Sequence, residues 1–159
     1  MKTQLERARE GEITPQMEEA AGYDGVCPEF IRDGIARGWI VLHGNPHRKS
    51  RVVGIGKGLR TKVNASIGTS PDIIDVDMEV EKARTAEKYG ADTLMELSTG
   101  GDLKSIRASV LKAIGLSVGT VPLYQAAIET IIKSGSVVNM DPNFLFDTIE
   151  EQAEEGIGF

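Results

Sequence analysis

The sequence is short of the residues from which several kinds of site are built. One cysteine, Cys27, and two histidines occur in 159 residues. The chain can therefore form no intrachain disulfide and cannot assemble a thiolate cage for a metal or cluster from its own residues. Aromatic residues make up 5% of the chain and the formal net charge is −6, a poor basis for stacking on or wrapping a nucleic acid. No apolar run approaches the roughly 18 to 20 residues of a membrane helix, and the first twenty residues are charged where a secretory leader would be apolar. The length is that of one ordinary domain, and 40% hydrophobic with 26% charged residues is a globular composition. These features predict a cytoplasmic protein with neither a membrane nor a nucleic-acid partner.

Acidic residues are missing altogether between Asp33 and Asp72, while Arg37, Arg48, Arg51, Lys57 and Lys62 are among the bases that fall there. Such a stretch can attract a phosphate, and it equally suits a solvated surface. Residues 1–60 carry ten Lys or Arg against eight Asp or Glu, whereas residues 61–159 carry eight against sixteen. The negative charge belongs to the second part.

Before residue 60 the pattern is of small pieces. Thr14 and Pro15 read as the cap and first turn of a helix ended by Gly22, and a second helix is predicted from Pro28 to Arg37 with Gly38 as its stop. WIVLH (39–43) and RVVGIG (51–56) form a predicted strand pair around a long loop, GNPHRKS. From residue 60 short apolar runs alternate with amphipathic ones. Predicted strands at 61–68, 91–98 and 116–121 are each followed by a helix. The first of these helices is marked by Val76, Val80 and Ala83, the second, opened by Asp102 as its cap, by Leu103, Ile106, Val110 and Ile114, and the third by Tyr124, Ile128 and Ile131. A last helix, capped by Asp141 with Pro142 behind it, aligns Leu145, Ile149 and Ala153 and leads into residues 156–159, which read as the onset of a fourth strand. Strand and helix alternating in this way specify parallel βαβ units. A flavodoxin-like sheet would finish its last helix and stop, and a (β/α)8 barrel needs about 250 residues, so under either architecture the expectation is a truncated α/β domain: an N-terminal α/β region over 1–59 and an incomplete set of βα units over 60–159.

In such folds ligands bind at the carboxyl ends of the strands. Asn64, Ser66, Thr69 and Ser70 at the first strand end are neutral donors and acceptors suited to a hydroxyl, phosphate or amide, and they equally suit a polar turn in which Ser70 and Asp72 cap the next helix. At the second, Met95 and Glu96 must point to opposite sides, and Ser98 to Gly101 lead into a helix N-terminus. Glu96 reads either as a functional carboxylate or as a charge near solvent. At the third, Tyr124 follows a turn made by Gly119, Thr120 and Pro122 and offers a flat apolar face with a hydroxyl at its end. The GIGKG run at 54–58 lacks the pattern of a phosphate loop. His43 and His47 are separated by Gly44, Asn45 and Pro46, which rule out the helix that would bring them to one metal. Cys27 reads as a small buried residue rather than a nucleophile.

KVNASIGTS (62–70), EVEKARTAEKYGADTLMELSTGGDL (79–103) and SVGTVPLYQA (117–126) resemble successive blocks of the phosphomethylpyrimidine synthase family. TQLERAREGEITPQME (3–18), PEFIRDGIARGWIVLHGNPHR (28–48) and FDTIEEQAEEGIGF (146–159) resemble the segments around those blocks. The resemblance implies that residues 60–159 are an incomplete (β/α)8 barrel, part of a lyase that converts 5-aminoimidazole ribonucleotide to the thiamine pyrimidine phosphate, using S-adenosylmethionine, a 4Fe-4S cluster and a zinc ion, as a homodimer. It also implies substrate contacts at Ser66, Met95 and Tyr124, with Asn64 beside them. Ser66 departs from the family, which has a second asparagine there; a hydroxyl is shorter and lacks the amide's second group. The family's cluster motif, CxxCxxxxC, and its metal-binding histidines are not among these residues, so this chain alone is expected to be an inactive fragment, or else a half that assembles with a separate partner half. An aldolase-type lyase would need a Schiff-base lysine on a strand. Lys62, the one lysine in a predicted strand, lies at its wrong end.

Overall fold

The computed structural model describes residues 2–159. Contacts divide the chain into two compact units. One runs through Gly44 and resumes over Arg51–Lys62; the other comprises Asn45–Ser50 and Val63–Phe159. Among the described residues no helix is long and apolar enough to cross a membrane.

The first unit is built on three helices, α1 (Gln4–Arg9), α2 (Pro15–Asp24) and α3 (Pro28–Ala36). Thr3 and Glu6 form a capping box on α1, each side chain bonding the other's backbone N–H. Thr14 accepts from the Met17 amide at 3.3 Å and Pro15 fills the first turn of α2, as its sequence predicts, but Gly22 is absorbed into that helix, which ends at left-handed Gly25. One apolar face from each helix converges on Met17, Ala21, Ile31, Ile35 and Ile40. Gly34 lets Ile40 of the first strand lie against α3, since a Cβ there would stand 2.8 Å from the Ile40 Cγ1.

Strands β1 (Ile40–Asn45) and β2 (Arg48–Gly56) make a two-stranded sheet. The long loop expected between them is instead a turn of two residues, Pro46 and His47. The Asn45 carboxamide accepts from the His47 amide at 2.7 Å and so replaces a backbone turn bond, which frees Arg48–Ser50 to extend the second strand.

In the second unit β3 (Asn64–Ile67), α4 (Val76–Lys88), β4 (Thr93–Glu96), α5 (Leu103–Ala113), β5 (Ser117–Gly119), α6 (Pro122–Ser134) and α7 (Pro142–Glu155) follow in order, with a 3-10 turn at Val137–Asn139. The strands are parallel in the order β3-β4-β5, as strand–helix alternation predicts. One face of the sheet presents Ala65, Ile67, Leu94 and Val118 to Ala83 of α4 and to Val110 and Leu111 of α5, and this is the core of the unit. Among the described residues there is no closed barrel, and the sequence expected none in so short a chain: they form a mixed α/β fold with two small sheets, and three parallel strands cannot close a cylinder that takes eight. Residues 157–159 run beside β5, with Gly158 N–H donating to Val118 C=O at 2.8 Å and Thr120 N–H to Phe159 C=O at 3.2 Å, but they are not a strand.

Helices α6 and α7 bury faces other than those read from their apolar residues. Gln125, Ala126 and Thr130 are buried on α6, and Thr148 and Gln152 on α7, while Ile131, Phe146 and Ile149 are exposed. The reason is Arg107 of α5. Its guanidinium, 2% exposed, donates to Glu155 at 2.5 and 3.1 Å and to Gln125 at 3.0 Å, and Gln152 donates to the same Gln125 oxygen at 2.9 Å. A buried cation must be met by polar partners, so the polar stripe of each helix turns inward.

Candidate functional site at the strand ends

The register of the sheet aligns Ser66 with Met95 and Met95 with Gly119 in one row, and Asn64 with Thr93 and Thr93 with Ser117 in the row two residues before it. Side chains two apart share a face, so both rows lie on the side opposite the apolar core. That face carries hydroxyls, a carboxamide and a thioether where the other carries aliphatic groups and, at its end, Glu96 beside Ile67. Ser66 and Asn64 are exposed, Met95 is half-buried, and Thr93 Oγ1 donates to Asn64 Oδ1 at 2.9 Å. Three of the four sequence-predicted contacts are thereby gathered on one polar surface. Ser66 and Met95 are direct neighbours across β3 and β4.

The loops above these strands are tied to each other. Gly68 N–H donates to Glu79 at 2.8 Å, and the buried Glu79 also pairs with Lys82. Thr69 N–H donates to Ser98 Oγ at 3.0 Å, its hydroxyl donates to Gly100 C=O at 2.6 Å, and Ser98 N–H donates to Glu96 at 2.9 Å. Gly68, at φ +154°, lets the two loops touch by backbone, since a Cβ there would lie 2.6 Å from the Leu97 carbonyl carbon. Glu96 is accordingly 4% exposed and holds a turn, where the sequence left it between a functional carboxylate and a charge near solvent. Ser70 and Asp72 do not cap α4. Ser70 closes a turn with Ile73, and Asp75 takes the cap by accepting from Met78 N–H at 3.0 Å. At α5 the cap is the residue its sequence offers: Asp102 accepts from Ser105 N–H at 3.2 Å and so occupies the N-terminus that could otherwise hold an anion.

Tyr124 stands apart from the row. It is exposed on the first turn of α6, just beyond the end of β5, and lines a small depression with Glu96, Arg107, Thr120, Gln125 and Gln152. Thr120 Oγ1 donates to Gln152 at 2.5 Å, so the turn bearing Tyr124 is anchored to α7 and through Gln125 to Arg107. Sequence reasoning missed Arg107, whose apolar neighbours on α5 mask it. The remaining signal was a charged residue within an otherwise buried stripe.

Elsewhere the expectations divide. Cys27 is exposed, contrary to the buried residue expected, because it is the cap of α3 and its side chain leaves the helix end without bonding it. Burial lowers the pKa of His43. Among the described residues no group of three or more His, Cys, Asp or Glu is placed to hold a metal ion. The basic stretch is partly consumed within its own units: Lys62 pairs with buried Asp24 at 2.7 Å, Lys57 and Arg37 lie 4.4 and 5.2 Å from the centre of the Trp39 ring, and Arg48 donates to main-chain carbonyls of the second unit.

Relatives match along the whole chain. A 5-hydroxybenzimidazole synthase of Geobacter metallireducens is 57% identical over 100% of it, and a phosphomethylpyrimidine synthase of Methanoculleus marisnigri is 57% identical over 98%. Phosphomethylpyrimidine synthase 1 of Methanosarcina barkeri is 55% identical over 99%. The chain spans 37% of the length of each of these relatives. The model of the Radical SAM ThiC family matches residues 3–159, which takes in every element of both units and both rows of the polar sheet face, and the chain belongs to that family.

Proposed function

We propose that residues 63–159 supply the first strands of a (β/α)8 barrel and part of the substrate surface of a synthase acting on 5-aminoimidazole ribonucleotide. The observation that carries this reading is the register row Ser66–Met95–Gly119 on the face of a parallel sheet opposite its apolar core, in a chain of this family. Ser66 and Asn64 would bond polar groups of the ligand, Met95 would supply an apolar wall, and Tyr124 would approach from the start of α6. The reaction is that of a carbon–carbon lyase in thiamine pyrimidine formation, in a cytoplasmic homodimer.

Radical SAM chemistry implies S-adenosylmethionine and a 4Fe-4S cluster, and the resemblance adds a zinc ion. The residues present do not fit the cluster or the zinc. A cluster is held by several thiolates, this chain has the single exposed Cys27, and no metal-binding group of side chains is found among its described residues. The role read here is ligand binding, and activity requires polypeptide beyond these 159 residues.

A second reading rests on the relative named 5-hydroxybenzimidazole synthase, as similar as the pyrimidine synthase. Ser66 in place of the family asparagine removes one hydrogen-bonding group from the polar face, a change of the kind that alters how a ligand is held. The full polypeptide containing this chain, reconstituted anaerobically with iron, sulfide and S-adenosylmethionine and given 5-aminoimidazole ribonucleotide, is expected to yield the phosphomethylpyrimidine. Mass spectrometry showing 5-hydroxybenzimidazole would assign the second reading, and neither product would overturn both.

A further inference from the structure

Gly119 occupies the third place in the row that begins Ser66–Met95, and it is buried. Its φ is not in the left-handed region, so its backbone would accept another residue. Space is what forbids one. A Cβ at 119 would lie 2.7 Å from the Met95 sulfur and 2.7 Å from Cδ2 of the Phe159 ring. Both side chains therefore lean over the same point on β5, and the sulfur and ring edge come within about 5 Å of each other, the separation of a favourable sulfur–aromatic contact. Phe159 is brought there by the hydrogen bonds of residues 158 and 159 to β5. A methionine has three rotatable bonds and fills whatever gap it is given, so its thioether needs outside contacts to hold one position.

We propose that Gly119 and Phe159 are positioning residues for Met95: the bare backbone of one and the ring of the other seat the thioether against β5, between Ser66 and the chain end, and so fix the apolar wall of the ligand surface. This rests on the reading of Met95 as a ligand contact given above, but the positioning can be tested without a ligand.

The experiment labels the chain with 13C-methyl methionine and assigns the Met95 signal with Met95→Leu. Next to a ring, that methyl should be displaced from the unstructured position. Phe159→Leu, which keeps an apolar side chain, should return it towards that position, Phe159→Tyr should retain the displacement, and Gly119→Ala should move it by crowding. Addition of 5-aminoimidazole ribonucleotide should shift the wild-type signal, with affinity falling roughly two- to tenfold in Phe159→Leu. A Met95 signal unchanged in Phe159→Leu would overturn the positioning, even if Gly119→Ala failed to fold. A signal that responds to the variants but not to the ribonucleotide would uphold the positioning and count against the substrate reading.

Discussion

Arg107 is the largest fully buried side chain among the described residues, and its burial is tolerated because two other helices, α6 and α7, bring polar partners to it. Glu155 receives two of its hydrogen bonds and Gln125 a third. Arg107→Met keeps the length but leaves Gln125 buried and Glu155, 28% exposed, without its cation. A loss of about 3 kcal/mol is expected, the lower end for breaking a buried pair because Glu155 retains some water, measured by urea unfolding. His43 contributes through its protonation. Burial depresses its pKa from the ordinary 6.5, so the unfolded chain takes up a proton that the folded chain resists. Its contribution is complete above about pH 6.5 and is lost as the pH falls through that value towards the depressed folded one. Stability should therefore rise between pH 5 and 7 in the wild type and rise less in His43→Gln, as read from denaturant midpoints at each pH.

At the scale of elements, helix starts were legible because the cap is a local event. Thr14 with Pro15, Asp102, and Asp141 with Pro142 each cap the helix their sequence announces. The faces of α6 and α7 were not, because they answer to Arg107 on another element and periodicity assumes that apolar residues turn inward. On α5 that assumption holds, and Leu103, Ile106, Val110 and Ile114 are all buried. The tip of the hairpin was likewise hidden, since the partners of Arg48 lie more than sixty residues away. Its guanidinium donates to the Leu111 carbonyl at 3.1 Å, to Leu116 at 2.8 Å and to Ile114, serving carbonyls that the end of α5 leaves open. Lysine keeps the charge but cannot fork to three acceptors. Arg48→Lys is expected to cost about 2 kcal/mol and to speed amide exchange in the last turn of α5, and full protection there would show that the fork is dispensable.

Over the whole molecule, the parallel order of β3, β4 and β5 follows from strand–helix alternation, and the opposite facing of Met95 and Glu96 follows from the pleat. Which of the two faces is left polar depends on where α4 and α5 pack, a tertiary fact that a single strand does not encode. The change in charge after residue 60 lies close to the passage from Lys62 to Val63 between the units, and residues 45–50 belong with the second unit and not with the segments that flank them in sequence. The two cores share no residue: one centres on Met17, Ile31 and Ile35, the other on Leu94, Val110 and Val118. Damage to one should therefore leave the other folded. Ile31→Ala empties a fully buried site and should cost about 2 to 5 kcal/mol. Hydrogen exchange followed by mass spectrometry is expected to quicken across α1, α2, α3 and β1 while β4 and α5 keep their protection. If exchange rose equally in β4 and α5, the chain would be one cooperative unit, and the charge boundary would mark only a change of surface.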